Sequence, residues 1–332
     1  MTATNDSMSA VCGRRVSLHL RIYEERSYIP LNKKRLGRSD LLVTEIGLGC
    51  MSLGTDEVHA QRIIDEAFEL GINFLDTADL YDRGRNEEIV GRALRGRRSQ
   101  VVLATKVGNR ILPGQDGWVW DASKAYIMEA VKDSLRRLDT DYIDLYQLHG
   151  GTLDDPIDET IEAFERLREQ GWIRWYGISS IRPNVIREYV TRSSIVSVMN
   201  QYSILDRRAE ESVIPLLQEH EISIIARGPV ARGILTDSGE AKVDEGYLDY
   251  SKEELLELRG QLQQISNGKR SITHTALRYC IDEPVVAVTL AGASSVEQLR
   301  DNVAASRTPA MTGDERAEIR AISHVNRYTQ HR

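Results

Sequence analysis

The stretch "GINFLDTADLYDRGRNEEIVGRAL", residues 71–94, carries the pattern that decides the fold. Its apolar run, residues 72–75, is typical of a buried strand and ends abruptly at Asp76. Tyr81 follows five residues later, in a loop rich in charge and glycine, and a helical pattern begins near Asn86. The stretch therefore predicts a strand, a polar loop and a helix in succession.

The same alternation repeats along the chain. Apolar runs that predict strands lie at residues 46–48, 73–75, 101–104, 142–148, 173–176, 195–199, 222–226 and 285–288. Amphipathic helical patterns lie between them, such as the apolar stripe of Ala60, Ile63, Ile64 and Ala67. Eight strands that alternate with helices predict a parallel sheet with right-handed crossovers. The expected fold is an α/β structure, a closed (β/α)8 TIM barrel.

The alternative architecture is a doubly wound open sheet. Its nucleotide-binding fingerprint is G-x-G-x-x-G after the first strand, and "GLGCMSLG", residues 47–54, matches it only loosely. Gly47, Gly49 and Gly54 have the wrong spacing. The sequence therefore favours the barrel over a Rossmann domain.

Three further segments frame the barrel. "KKRLGRSDLLVTEI", residues 33–46, predicts two short strands around a turn, a β-hairpin that plugs the barrel bottom. Residues 236–271 are polar and irregular, with a helical patch at 252–264, and predict an insertion after the seventh strand. A C-terminal helix is expected to complete the fold.

The first thirty residues differ from the rest of the chain. Residues 1–30 have no clear period, and Arg14 and Arg15 interrupt the apolar core that a secretory signal needs. We expect this segment to be a disordered or artefactual extension, with translation starting at Leu31 from a non-standard start codon. Residues 31–332 are expected to form a single catalytic barrel.

Composition excludes several classes of protein. Hydrophobic residues make up 41% and charged residues 28% of the 332-residue chain, which is ordinary globular usage. The net charge of −7 argues against a nucleic-acid-binding protein, and no apolar run approaches a membrane span. Cys12, Cys50 and Cys280 are scattered, without the spacing of a metal site or a disulfide framework. They fit a reduced, cytoplasmic protein, with Cys50 interpreted as a buried strand residue.

Four polar residues mark the carboxyl ends of the predicted strands. Asp76 follows the second strand, Lys106 the third and His149 the fourth, while Tyr81 lies just beyond Asp76. Each has an ordinary structural explanation, such as a helix cap, a solvated charge or a buried imidazole. In a barrel, however, side chains at the carboxyl ends of strands meet at one rim. The coincidence of four such residues predicts an active site there.

The chemistry of these residue types indicates a general acid. A tyrosine has a pKa near 10, and a lysine charge about 4 Å away favours its phenolate by roughly 4 kcal/mol. Burial acts in the opposite direction, so the expected net lowering of the pKa is smaller. Asp76 is expected to keep Lys106 charged, and His149 to orient a substrate oxygen. A proton donor aimed at a carbonyl makes sense where a hydride reaches the carbonyl carbon, so a nicotinamide cofactor is expected.

Several of these stretches resemble the aldo-keto reductase family. The similar motifs are residues 71–94, "LATKVG", "SLRRLDTDYIDLYQLHG" and "GASSVEQLRDN", and the resemblance runs from about Asn32 to the C-terminal helix. It implies an NADPH-dependent oxidoreductase that reduces a small-molecule carbonyl substrate. By the same resemblance Tyr81 is the proton donor, Lys106 and Asp76 tune it, and His149 positions the carbonyl.

The resemblance also implies a set of cofactor-binding residues. Gly49, Met51 and Asp76 lie at the nicotinamide end, where Ser179, Ser180 and Gln201 match the residues that bind the carboxamide. The loop that wraps the diphosphate matches "RGPVARGIL", with Arg227, Gly228, Pro229, Val230 and Arg232. The adenosine and 2′-phosphate site matches Gly292, Ala293, Ser294, Gln298 and Asn302. The alternative for this last stretch is a helix N-cap at Ser294 or Ser295, and both interpretations can hold together.

Three departures from the family pattern affect the cofactor site. Ser180 stands where an asparagine is usual, which puts one carboxamide contact in doubt. Arg227 stands where an aromatic residue commonly stacks on the nicotinamide, and its charge predicts weaker binding of NADP⁺ than of NADPH. Residues 293–298 contain no Arg or Lys, so the 2′-phosphate would depend on serine hydroxyls, backbone amides, and Arg300 or Arg232.

Two other functions remain as alternatives. One is a redox-sensing subunit that keeps the cofactor but turns over very slowly. The other is a lyase with Lys106 as Schiff-base nucleophile, which pairing with Asp76 disfavours. The substrate is not identified by the sequence: Trp118 and Trp120 either line its pocket or pack on the surface, and the 236–271 insertion is a candidate lid. We expect a monomer or weak oligomer.

Overall fold

Eight parallel strands close into a barrel in the computed structural model, which describes residues 30–112, 114 and 116–332. The strands are β1 Lys33–Arg35, β2 Leu42–Thr44, β3 Ile46–Gly49, β4 Phe74–Asp76, β5 Val102–Val107, β6 Asn109–Arg110, β7 Val119–Trp120, β8 Ile143–Leu148, β9 Ile173–Ser179, β10 Ser197–Gln201, β11 Ser223–Arg227 and β12 Val286–Gly292. The barrel order is β3, β4, β5, β8, β9, β10, β11, β12, and β12 pairs with β3 to close it. The predicted (β/α)8 TIM barrel is confirmed.

Helices follow the barrel strands and cover the outside of the sheet. They are α1 Glu57–Glu69, α2 Arg85–Ala93, α3 Lys124–Leu138, α4 Ile157–Glu169, α5 Pro183–Arg192, α6 Val213–Glu219, α7 Lys252–Ser266, α8 Ile272–Ile281, α9 Val296–Ala305 and α10 Gly313–Ile322. The predicted stripe of α1 is buried, and the Asp56 side chain caps this helix by accepting from the amides of Val58 and His59. The helices therefore pack by the apolar faces that the periodicity predicts.

The strands extend further toward their carboxyl ends than the apolar runs indicate. The run predicted at 173–176 continues to Ser179, and the run predicted at 285–288 continues to Gly292. Polar residues and glycine end the hydrophobic pattern before the hydrogen-bonded ladder ends. These last residues are the ones that face the barrel mouth.

The N-terminal hairpin closes the opposite end of the barrel. β1 pairs antiparallel with β2, and Leu36 and Leu41 in the turn are buried against Phe74 and Val102, at the starts of β4 and β5. Lys34 Nζ donates to the carbonyl of Val286 at 2.8 Å. The hairpin thus plugs the barrel bottom, as predicted.

Residues 31–332 form one compact unit, and the prediction made for residues 1–30 falls, apart from Pro30, outside the described residues. Cys50 and Cys280 are buried free thiols, although Cys50 begins a short 3-10 turn rather than lying in the strand. None of the described helices has the length and apolar character needed to cross a bilayer. Within the same residues, no His, Cys, Asp and Glu cluster has the arrangement of a metal site.

Candidate active site

The barrel mouth brings together the four residues that the sequence singles out. Asp76 is the last residue of β4, Lys106 lies near the end of β5, and His149 directly follows β8. Tyr81 begins a 3-10 turn, Tyr81–Gly84, in the loop after β4. Parallel strands carry their carboxyl ends to one rim, and this topology explains the convergence.

Lys106 is the centre of this group. Its buried ammonium donates to Asp76 Oδ2 at 2.6 Å, to the Thr77 carbonyl at 2.7 Å and to Tyr81 Oη at 3.2 Å. An ammonium has three N–H donors, so these three acceptors use all of them. Because the Tyr81 oxygen accepts from Lys106, its own hydroxyl proton is free to be donated to a ligand in the mouth.

Burial sets the protonation state of Tyr81. Burial and the charge of Asp76 raise the pKa of the phenol. The charge of Lys106 lowers that pKa by less, so the net shift is upward. This direction is opposite to the lowering expected from Lys106, because desolvation of the phenolate outweighs one nearby ammonium. Tyr81 is therefore held as a neutral proton donor.

The Asp76–Lys106 pair is buried, and a third side chain, Gln147, also contacts Asp76. Burial acts to lower the pKa of Lys106, but contact with Asp76 and Tyr81 raises it overall, so the lysine stays charged. Burial raises the pKa of Asp76, against the effects of Lys106 and of Gln147, whose Nε2 donates to Asp76 Oδ1 at 3.2 Å. Asp76 therefore accepts one hydrogen bond from Lys106 and one from Gln147, which fix the position of its carboxylate.

His149 presents a neutral imidazole to the mouth. Its backbone amide donates to the Val107 carbonyl at 2.7 Å, and its ring stands edge-on to Tyr81 with centroids 5.9 Å apart. Burial lowers the pKa of His149 to about 3, and the charges of Lys106 and Arg227 add to that effect. Its Nδ1 is buried and has no hydrogen-bond partner among the described residues, and His149 lines the cavity. A neutral ring carries one N–H, which can donate to a substrate oxygen.

One cavity of about 1590 Å³ begins at Tyr81 and His149 and extends across the mouth to the N-terminus of α9. Nearly all of the predicted cofactor residues line it: Gly49, Met51, Asp76, Ser179, Ser180, Gln201, Arg227, Gly228, Pro229, Val230, Arg232, Gly292, Ser294, Gln298 and Asn302. The predicted Ala293 does not line it, because its side chain is buried; its carbonyl accepts from Ser52 Oγ at 3.1 Å. Lys106 is fully buried behind the residues that line the cavity.

The polar residues at the ends of β9 and β10 differ in the hydrogen-bond partners that they already have. Gln201 Nε2 donates to Tyr247 Oη at 3.0 Å, and its Oε1 accepts from Arg227. The Ser180 hydroxyl accepts from the Arg182 amide at 3.1 Å, so it stabilises its own turn. Ser179, Ser180 and Gln201 all line the cavity, and a carboxamide bound by Gln201 would have to replace one of the partners that its amide has here.

A glycine turn and two cations form the middle of the cavity. Gly228 has a φ of 66°, and a Cβ there would lie 2.3 Å from Gln201 Nε2, so a larger residue would strain the backbone and displace the Gln201 side chain. Arg232 is exposed and Lys242 packs against Gly233, and both line the cavity without an ion pair to any described residue. Backbone amides and two cations are suited to a diphosphate.

The far end of the cavity lies at the start of α9. Ser295 caps the helix by accepting from the Gln298 amide at 3.2 Å, as the structural alternative predicted. The Ser294 amide and hydroxyl both donate to Gln298 Oε1. Arg300 is bound to Glu66 at 2.7 and 2.8 Å, so of the two arginines considered for a phosphate only Arg232 is available.

Sequence reasoning missed several residues of the site. Gln147 lies in β8, two residues before His149, and the two-residue period of strands is a signal that could have found it. Lys242 and Tyr247 belong to the irregular 236–271 insertion, where no periodicity marks them. Trp118 and Trp120, left open by the sequence, both line the cavity.

Comparison with known proteins agrees with this geometry. The model of the Aldo/keto reductase family matches residues 45–324. The oxidoreductase YqkF of Bacillus subtilis (strain 168) is 56% identical over 307 residues, which cover 91% of this chain and 100% of that protein. The NADH-specific methylglyoxal reductase of Escherichia coli (strain K12) is 31% identical over 308 residues, 83% of this chain and 93% of that protein.

A solved structure shows the same likeness in three dimensions. The holo form of aldo-keto reductase AKR11C1 from Bacillus halodurans superimposes with a TM-score of 0.87 at 59% identity, over 91% of this chain and 99% of that chain. The family match covers most of the barrel and includes Asp76, Tyr81, Lys106 and His149. The chain belongs to the aldo/keto reductase family.

Proposed function

We propose that this protein is an NADPH-dependent reductase of aldehydes or ketones in which Tyr81 donates the proton. Membership of the family makes it an oxidoreductase that uses a nicotinamide cofactor. The observation that carries the proposal is the contact of Lys106 Nζ with both Asp76 and Tyr81 at the end of a long polar cavity. This arrangement supplies a proton donor beside a site large enough for a dinucleotide.

The residues of the cavity fit NADPH. Ser179 and Gln201 would hold the nicotinamide carboxamide, and Arg227 would lie against the ring. The turn from Gly228 to Arg232, together with Lys242, would hold the diphosphate, where the two cations otherwise lack acidic partners among the described residues. Ser294, Gln298 and Asn302 would hold the adenosine end at the N-terminus of α9, which favours anions. When bound, NADPH supplies the hydride for the carbonyl carbon.

The protein's own residues then act on the carbonyl oxygen. The neutral His149 donates a hydrogen bond that orients the oxygen toward Tyr81. Tyr81 transfers its hydroxyl proton to that oxygen, and the charge of Lys106 stabilises the phenolate that remains. At about 4 Å and an effective dielectric constant of 20, that stabilisation is roughly 4 kcal/mol. The same interaction lowers the pKa of Tyr81 and offsets part of the increase that burial causes, so Lys106 makes the buried phenol a stronger acid than it would be without that charge.

The geometry disfavours a Schiff-base lyase. Lys106 is wholly buried, uses its three donors within the protein and is held charged by Asp76. A nucleophilic amine must be neutral and must reach the substrate. The redox-sensing alternative keeps the same site and differs only in its rate of turnover.

The proposal is tested by NADPH oxidation with a panel of aldehydes and ketones. Tyr81→Phe is expected to lose reductase activity and to keep NADPH binding. Tyr142→Phe, which changes a tyrosine before β8 and far from the mouth, is the matched control and is expected to behave like the parent. A Tyr81→Phe variant as fast as the parent would overturn the mechanism, and very slow turnover with every carbonyl would favour the sensor.

Cofactor preference needs a separate measurement. We propose NADPH over NADH because the Ser294 hydroxyl and the N-terminus of α9 lie at the adenosine end of the cavity, where only NADPH carries a 2′-phosphate. Affinities for the two reduced cofactors, measured by nicotinamide fluorescence, are expected to differ by about tenfold or more, since a hydrogen bond to a charged group contributes about 1.5–3 kcal/mol. Equal affinities would contradict this preference without affecting the assignment of Tyr81.

A further inference from the structure

The wall of the cavity beside His149 contains residues that the mechanism above does not use. His149 begins the loop 149–155, and the carbonyl of Gly151 accepts from Arg182 Nη1 at 2.8 Å. Gly150, in the same loop, lies against the Trp120 ring. Arg182 and Trp120 both line the cavity and both contact this loop.

Arg182 has hydrogen-bonding capacity to spare. A guanidinium carries five N–H donors, and among the described residues this side chain donates only to Gly151 and forms no ion pair. The acid of the same loop, Asp155, accepts instead from Trp120 Nε1 at 2.8 Å and from the amide and hydroxyl of Thr152. An unpaired guanidinium in a cavity wall attracts anions and can bind a carboxylate through two parallel hydrogen bonds.

The position of Arg182 relates it to the reacting carbonyl. Gly151 is two residues from His149, a span of at most about 7 Å of chain. His149 and Arg182 therefore border the same part of the cavity, and a substrate whose carbonyl oxygen meets His149 can direct a second group toward Arg182. The intervening carbon skeleton would lie beside Trp120, whose indole is fixed by Asp155 and packed against Gly108 and Gly150.

Other cations of the cavity have different surroundings. Arg227 donates to Gln201, and Arg232 and Lys242 belong to the part that we assign to the diphosphate. Arg182, in contrast, donates a hydrogen bond to the loop that starts at His149. This separation assigns it to the substrate rather than to the cofactor.

We propose that Arg182 binds a carboxylate of the substrate, so that the preferred substrates are aldehydes or ketones that also carry a carboxylate. The inference rests on the proposed reductase function and names its substrate class. Arg182 is then a specificity-determining residue: its guanidinium holds the acid group while Tyr81 and His149 act on the carbonyl oxygen.

The test compares para-formylbenzoate with its methyl ester, which share the ring and the aldehyde but differ in charge. The readout is the ratio of kcat/KM for the acid to that for the ester, with NADPH saturating. Arg182→Gln keeps an amide donor for the Gly151 carbonyl but removes the charge, and is expected to lower this ratio by about tenfold to a hundredfold. Arg182→Lys keeps a charge without the planar fork and is expected to fall between Arg182→Gln and the parent.

Arg187→Gln is the matched control, because it removes the same charge from an exposed position of α5 outside this cavity. Its ratio is expected to equal that of the parent. A ratio in Arg182→Gln equal to that of the parent would overturn the proposal.

If the parent reduces neither these compounds nor any other aldehyde or ketone of the panel, the proposed function is wrong, and calorimetry on the NADPH-loaded protein still decides the role of Arg182. Weaker binding of para-formylbenzoate to Arg182→Gln than to the parent supports that role, and equal binding contradicts it.

Discussion

Lys106 donates a hydrogen bond to Tyr81 at 3.2 Å from the same ammonium that contacts Asp76 at 2.6 Å. The acid and its counter-charge are therefore joined through one buried lysine, and a change in any of the three alters the other two. Four predictions follow from this and neighbouring contacts.

Removal of the lysine should cost stability as well as activity. Lys106→Met leaves Asp76 as an unpaired buried carboxylate, and breaking a buried pair in this way costs about 3–5 kcal/mol. The double variant Lys106→Met with Asp76→Leu removes both charges and is expected to recover most of that free energy of unfolding, but no reductase activity. Urea unfolding and NADPH oxidation measure the two properties. A double variant as unstable as Lys106→Met would contradict the pairing.

The pH dependence of reduction follows from the two pKa shifts at the mouth. The proposed reaction needs protonated Tyr81, whose pKa is raised, and neutral His149, whose pKa is lowered to about 3. Raising the pH removes the acid only above its ordinary pKa of about 10, and lowering the pH charges the histidine only near pH 3. We expect kcat/KM for reduction to be level between these limits and to fall at alkaline pH. A fall centred near neutral pH would show that another group controls the rate.

Because of Asp79, the free energy of unfolding is expected to fall as the pH rises. Burial and the neighbouring Glu87 raise the pKa of its carboxyl to about 8, and one oxygen has no partner among the described residues. Between about pH 4 and this pKa the unfolded chain ionises Asp79 while the folded protein keeps it protonated. The free energy of unfolding therefore falls as the pH rises, by up to about 1.4 kcal/mol per unit.

Asp79→Asn removes that dependence. Its advantage over the parent in urea unfolding is expected to grow from pH 5 to about pH 8 and then to level off. Asp141→Asn, at an exposed position, is the control and should show no such trend. A constant difference between Asp79→Asn and the parent at all pH values would contradict the assignment.

Arg227 should favour release of the oxidised cofactor. Its guanidinium is exposed in the cavity and donates to Gln201, beside the expected nicotinamide ring. Arg227→Trp removes a positive charge near a ring that is cationic when oxidised, so we expect NADP⁺ affinity to improve relative to NADPH by about threefold to tenfold. Arg227→Lys keeps the charge and is expected to retain the ratio of the parent. Fluorescence titration with both cofactor forms measures it, and an unchanged ratio in Arg227→Trp would count against this role.

The fold was accessible from the sequence because each strand and helix carries its own period. The barrel, the hairpin plug and the C-terminal helix were predicted correctly, while strand ends such as Ser179 and Gly292 were missed, because polar residues conceal the continuing ladder. The convergence of Asp76, Tyr81, Lys106 and His149 followed from their places at strand ends.

Other properties of the site depend on three-dimensional surroundings. The upward shift in the pKa of Tyr81 arises from burial, which no local motif reports. Lys242 and Tyr247 reach the cavity from an insertion without periodicity. The spare donors of Arg182 are recognised only once its distant neighbours are known.

The hydrogen bond from Trp120 Nε1 to Asp155 has a consequence for redesign of the pocket. Trimming Trp120 to admit a bulkier molecule would leave Asp155 with only its Thr152 donors, in the loop whose first residue is His149. A broader substrate range would then be accompanied by a misplaced imidazole and slower turnover. Engineering libraries should therefore vary positions 120 and 155 together, with a residue at 155 that still accepts from Thr152, such as asparagine.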